Sequence, residues 1–209
     1  MAELPGLREY DGYVNFLVPA TLVTIALTAA MGSGAGLLGE IYSGFAGRLR
    51  CLPISLFAVL VARTIADSAR LAVQLVITLG VSILLLEFRP AGGVPGVVAA
   101  ALLTLFVGWC LSWVFVAVTT MVRRPETLQA VSFIVLFPLM FSSSAYMPIE
   151  AMPTWLRVLS TVNPVTYAVD ATRALAFDRP WSSAVIAAVG ISLVAAIAGA
   201  ALAAKAVRR

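Results

Sequence analysis

Charged residues punctuate this chain rarely, and between them run long, mostly apolar stretches at 12–39, 71–86, 90–122, 127–149 and 180–204. A helix needs roughly 20 mainly apolar residues to cross the hydrocarbon core of a bilayer. The pattern therefore predicts five spans, at about 16–38, 66–87, 97–121, 127–146 and 181–204. The fold class it predicts is an all-α integral membrane protein, with one transmembrane domain over 1–209.

The breaks in the pattern predict the rest. Segment 39–62 is Gly-punctuated, carries Arg48 and Arg50, and is interrupted at Pro53. Pro lacks an N–H and disfavours helix at the residue before it, so a short helix stopped near Leu52 is expected there. In "ARTIADSAR", Arg63, Asp67 and Arg70 are spaced four and three apart, which puts them on one helix face as an ion ladder. Trp109 and Trp113 stand one turn apart at mid-span, where packing is the expected role. Pro138 and the run of three Ser after it predict a kink or local unwinding in the fourth span. Segment 147–179 is the most polar of the outer stretches. It predicts two short helices broken at Asn163-Pro164, with Tyr167, Asp170 and Arg173 recurring every third residue, as a polar cap on the outer face.

Composition narrows the function. The chain is 61% hydrophobic and 11% charged, with no His and one Lys, and its mean hydropathy is +1.01. A typical soluble domain is about 45–50% apolar and about 25% charged. Without His, Ser-His or Cys-His catalysis within the chain is excluded. Lys205 follows Ala rather than Gly, so no phosphate-binding loop of the G-x-x-x-x-G-K type exists. Cys51 and Cys110 fall in a loop and in mid-span, which does not suggest a disulfide framework. The basic residues form no patch suited to nucleic acid.

Charge also predicts orientation. With segment 39–62 in the cytoplasm, that side holds nine basic residues and the other five, as the positive-inside rule favours. The C-terminus is then cytoplasmic, and five spans put the N-terminus outside.

Four stretches in order, "FLVPA" (residues 16–20), "LRCLPIS" (49–55), "VLVARTIADSAR" (59–70) and the Asn163-Pro164-x-x-Tyr167…Arg173 pattern, resemble the permease subunits of ABC-2 type transporters, especially daunorubicin-resistance-like exporters. The resemblance implies a six-span fold with a cytoplasmic coupling helix and an external re-entrant element before the last span. On it, segment 39–62 couples to a separate ATPase subunit through Glu40, Gly44, Arg48, Arg50 and Pro53. The re-entrant motif comprises Asn163, Pro164, Tyr167, Asp170 and Arg173. Two departures bear on coupling: Ile41, Tyr42 and Ser43 stand where the family usually carries charges, and Gly47 where it often has an acid.

The implied protein is not itself an enzyme. It is a multi-pass cytoplasmic-membrane permease that moves a lipophilic drug or lipid, binds no cofactor or metal, and leaves ATP and Mg to its partner. It works beside a second permease copy or paralogue and among membrane lipids. The family's leader and first span are not in this sequence, so a reading frame upstream is expected to encode them. The alternatives are a non-functional or assembly-only fragment, or a secondary transporter. The latter lacks the expected internal repeats and midplane acids.

Overall fold

The computed structural model describes residues 12–42, 56–122, 124–178 and 183–207. These form seven α-helices: α1 (Tyr13–Tyr42), α2 (Leu56–Leu85), α3 (Gly93–Thr119), α4 (Pro125–Phe141), α5 (Thr154–Val162), α6 (Pro164–Ala176) and α7 (Ser183–Val207). A single 3-10 turn, Ile149–Ala151, precedes α5. Helices α1, α2, α3 and α7 are long and apolar enough to cross a membrane. Helix α4 has 17 residues, roughly 25 Å of rise.

Helix α3 is uncharged and apolar on every face, which suits a helix surrounded on all sides. It packs against α1, α2, α6 and α7. Burial follows this layout, at 56% of the apolar stretch in α1 and in α3 against 17% in α2 and 22% in α7. Small residues set the close approaches, as expected where helices meet in lipid. A Cβ on Gly199 of α7 would stand 2.6 Å from the Trp113 carbonyl oxygen of α3. At Gly34 of α1, the Thr119 hydroxyl of α3 donates to the backbone carbonyl at 3.1 Å. Hydroxyls inside the helices mostly bond back one turn, as Thr24 to Ala20, Thr104 to Ala100 and Thr172 to Ala168.

Several boundaries differ from the expected ones, among them the end of α1, which runs to Tyr42 and not to 38. Helix α2 begins at Leu56, so residues 56–62 belong to it and not to the coupling segment 39–62. The helix thus runs on past the charged positions 63–70, and α1 supplies Glu40 and Ser33 as partners for Arg63 and Asp67. Helix α4 ends at Phe141, short of the expected 146. There the Ser143 hydroxyl donates to the Met140 carbonyl (2.6 Å) and accepts from the Ala145 N–H (3.3 Å), local bonds that compete with helical ones.

The two ends of the bundle are chemically distinct. At one end the Arg89 N–H donates to the Asn15 side chain at 3.1 Å, and the Gly92 N–H donates to the Ala176 carbonyl at 3.0 Å. At the other, Glu40 of α1 pairs with Arg63 of α2.

Candidate functional site

Helices α5 and α6 meet at a hairpin tip, Asn163-Pro164; α6 packs against α1, α3 and α7, whereas α5 stays mostly exposed. Pro164 and Val165 line one cavity together with Leu27 of α1, Leu111 of α3, Leu139 of α4 and Ile191 of α7. The far end of α6 meets Gly92. Thirteen residues rise roughly 20 Å, so α6 reaches deep among α1, α3 and α7, and most of its side chains are buried. The sequence reading of this segment as a polar outer cap is corrected in that respect: Ala and Val at 165, 168, 169 and 171 give α6 a face that can be buried.

Each polar residue of the tip closes a helix end. Asn163 accepts from the Val165 N–H (2.9 Å) through its side-chain oxygen and so caps α6. Pro164 fills the first helical position, where no N–H is needed. The Asn163 amide donates to the Leu139 carbonyl (2.6 Å) and the Ser142 hydroxyl (3.0 Å). Leu139 sits in the last turn of α4, where carbonyls lose their helical partners. Tyr167 does the same for α5, its hydroxyl donating to the Thr161 carbonyl at 2.7 Å.

Arg173 ties this hairpin to the rest of the fold. It is 4% exposed. Its Nε donates to the Phe16 carbonyl (3.1 Å), its Nη1 to Asp170 Oδ1 (3.2 Å), and its Nη2 to the Ser144 carbonyl (2.9 Å). The guanidinium also lies over the Phe16 ring, 3.7 Å from the centroid, an attraction that strengthens out of water. Asp170 in turn accepts from the Ser144 hydroxyl at 2.6 Å. Pro19, inside α1, cannot bond back to Asn15 and disturbs the turn that holds the Phe16 carbonyl. A buried guanidinium is tolerable only with such a set of partners.

At the opposite end, Arg63 lies between Glu40 and Asp67, with Nε 3.6 Å from Asp67 Oδ2. The Ser33 hydroxyl donates to Asp67. Arg70, expected as the third rung of the ladder, makes no ion pair among the described residues. Glu40, expected in the coupling loop, lies in the last turn of α1 and takes that place. Gly44, Arg48, Arg50 and Pro53, with Cys51, fall outside the described residues. Trp113 is buried and stacks on Phe57 with centroids 5.8 Å apart.

Sequence reasoning missed Phe16, Ser33, Leu139, Ser142 and Ser144. The signals were present in "FLVPA" and in the three-Ser run, but nothing in residue type joined them to Arg173.

An apolar cavity of about 180 Å³ opens at the hairpin tip, among α1, α3, α4, α6 and α7. Its lining includes Val23, Leu27, Leu111, Leu136 and Val165, and Ser192 is the one polar side chain in it. Four helices long and apolar enough to cross a membrane, with an apolar cavity among them, are the features of a multi-pass membrane protein.

The family model of the ABC-2 type transporter matches residues 4–177, and the chain belongs to that family. It is 33% identical over 190 residues to a daunorubicin resistance ABC transporter permease protein of Streptomyces coeruleorubidus, covering 90% of this chain and 67% of the relative. It is 27% identical over 173 residues to a protein of Cyanophora paradoxa named as a transport permease, over 82% and 59% of the two chains. A protein of Mycobacterium tuberculosis named as a doxorubicin resistance ABC transporter permease is 26% identical over 198 residues, covering 89% of this chain and 67% of that one. The chain thus spans between 59% and 67% of the length of these relatives. No solved structure matches.

Proposed function

We propose that this chain is the membrane-spanning subunit of an ATP-binding-cassette exporter that moves a lipophilic drug or lipid outward across the cytoplasmic membrane. ATP is hydrolysed by a separate subunit, which carries the nucleotide and Mg. The segment from Glu40 through Gly44, Arg48 and Arg50 to Pro53 docks on that subunit. A second permease copy or paralogue completes the path, and the C-terminus is cytoplasmic.

The observation that carries the reading is the apolar cavity at the tip of the α5–α6 hairpin. A space walled by Val, Leu and Phe favours an uncharged, lipid-soluble cargo over a sugar or an ion. Two of the three relatives, those of Streptomyces coeruleorubidus and Mycobacterium tuberculosis, are named for drug resistance.

Cells carrying the chain together with its ATPase should accumulate less doxorubicin than cells in which that ATPase has lost its phosphate-binding Lys. Equal accumulation in the two strains would refute ATP-driven export of this class of cargo. Exchanging Arg48 and Arg50 for Glu should reduce both efflux and co-purification with the ATPase while membrane insertion stays intact.

A further inference from the structure

Between α1 and α2, toward the Glu40–Arg63 end, lies a cleft of about 340 Å³. Its polar lining is Thr28 and Ser33 from α1, and Arg63, Asp67, Arg70 and Gln74 from α2. The four α2 positions are spaced four, three and four apart, so they form one stripe along the helix. The facing wall of α1 is built from small residues, Gly32, Ser33 and Gly36, and a Cβ on Gly36 would collide with the Arg63 guanidinium.

The hydrogen-bonding of this lining is incomplete. Asp67 is engaged by Ser33, and Arg63 by Glu40 at the mouth. The Arg63 Nε–H is buried with no hydrogen-bond partner, since at 3.6 Å Asp67 attracts it electrostatically but is too distant to accept from it. Among the described residues, Arg70 has no ion pair and Gln74 no hydrogen bond through its amide. With Glu40 at its mouth the cleft sets two carboxylates against two cations, and the Arg70 guanidinium, the Gln74 amide and the Arg63 Nε–H are left over as donors.

Depth identifies what those donors meet. Counting about 20 residues back from Leu85 puts the hydrocarbon boundary near residue 66. Arg63 then lies at the headgroup level, with Arg70 and Gln74 roughly one and two turns inside. A cation at that depth pairs, snorkels or lines a wet path. Beside the cleft α2 exposes Ile65, Val73, Val76 and Ile77, an apolar face along which acyl chains can lie.

We propose that this cleft binds a phosphate group, that of a membrane phospholipid, through Arg70, the Gln74 amide and the Arg63 Nε–H. A guanidinium matches two phosphate oxygens at once, and basic pockets between membrane helices commonly hold lipid headgroups. The inference rests on the chain being a membrane protein and does not require that it export anything.

Native mass spectrometry of the delipidated protein, titrated with phosphatidylglycerol, tests it. One lipid should bind saturably, tenfold or more weakly in Arg70→Gln and in Gln74→Leu, with affinity partly retained in Arg70→Lys. Arg89→Gln, at the other end of the bundle, should bind as the wild type does. Diacylglycerol, which has the same chains without phosphate, should not bind at this site. Equal affinity of the Arg70→Gln variant, or equal binding of diacylglycerol, would overturn the proposal. Displacement of the lipid by millimolar inorganic phosphate would overturn the lipid as the source of the phosphate group.

Discussion

The guanidinium of Arg173 sits 3.7 Å above the ring of Phe16 and donates to the same residue's carbonyl at 3.1 Å, across 157 positions of sequence. Ring and carbonyl together make Phe16 the anchor by which α6 is held to α1. Asp170 and the backbone of Ser144 complete the hold.

Arg173 should accordingly be the most sensitive polar position in the chain. Arg173→Met removes the donor from Asp170 and from the carbonyls of Phe16, Ser144 and Ala145, a loss on the order of 3 kcal/mol. Arg173→Lys keeps the charge but cannot reach all four acceptors, and should lose less. Thermal unfolding in detergent measures both. A Tm for Arg173→Met indistinguishable from that of the wild type would show that the contacts carry no stability.

At Asn163 the order of two substitutions is the test. Asp is ordinarily as good a helix cap as Asn. Here the amide also donates to the Leu139 carbonyl, and a carboxylate would set oxygen against oxygen. Asn163→Asp should therefore destabilise more than Asn163→Ala, which should cost about 1–2 kcal/mol. The reverse order in a thermal melt would remove the α4 contact from the account.

Helix α7 offers a matched pair of glycines. At Gly199 a Cβ meets the Trp113 carbonyl at 2.6 Å, whereas at Gly190 nothing lies within 4 Å. Gly199→Ala should force α7 from α3 and lower the yield of folded protein. Gly190→Ala should be neutral or stabilising by up to about 1 kcal/mol, the helix preference of Ala over Gly. Size-exclusion profiles of the two variants decide it, and equal profiles would mean that the α3–α7 contact yields freely.

Thiol chemistry tests orientation. Cys110 is fully buried and should resist a membrane-impermeant maleimide until the protein is denatured. With segment 39–62 in the cytoplasm, Cys51 should react only after cells are opened. Labelling of Cys51 in intact cells would reverse the proposed orientation.

Most of the helical architecture can be read from the sequence because crossing a bilayer demands long apolar runs, and such runs are visible residue by residue. The ends of α2 and α4 are not, since they depend on partners elsewhere: Glu40 and Ser33 allow Arg63 and Asp67 inside a helix, and Ser143 ends one. The motif around Asn163 is visible as a polar interruption. Its work is hidden, because Asn163, Tyr167 and Arg173 bond largely to backbone carbonyls, and every residue type carries the same carbonyl.

The depth of α6 has a consequence for how the molecule is made. The helix is too short to enter a bilayer as a span, and it carries an arginine whose partners include Phe16, near the start of the chain. Its wall on the far side is α7, which the ribosome synthesises after it. Helix α6 can meet α1, α3 and the end of α4 as soon as it is made, but its burial is complete only once α7 is in place. A nascent chain halted before Ser183 would leave one side of α6 uncovered.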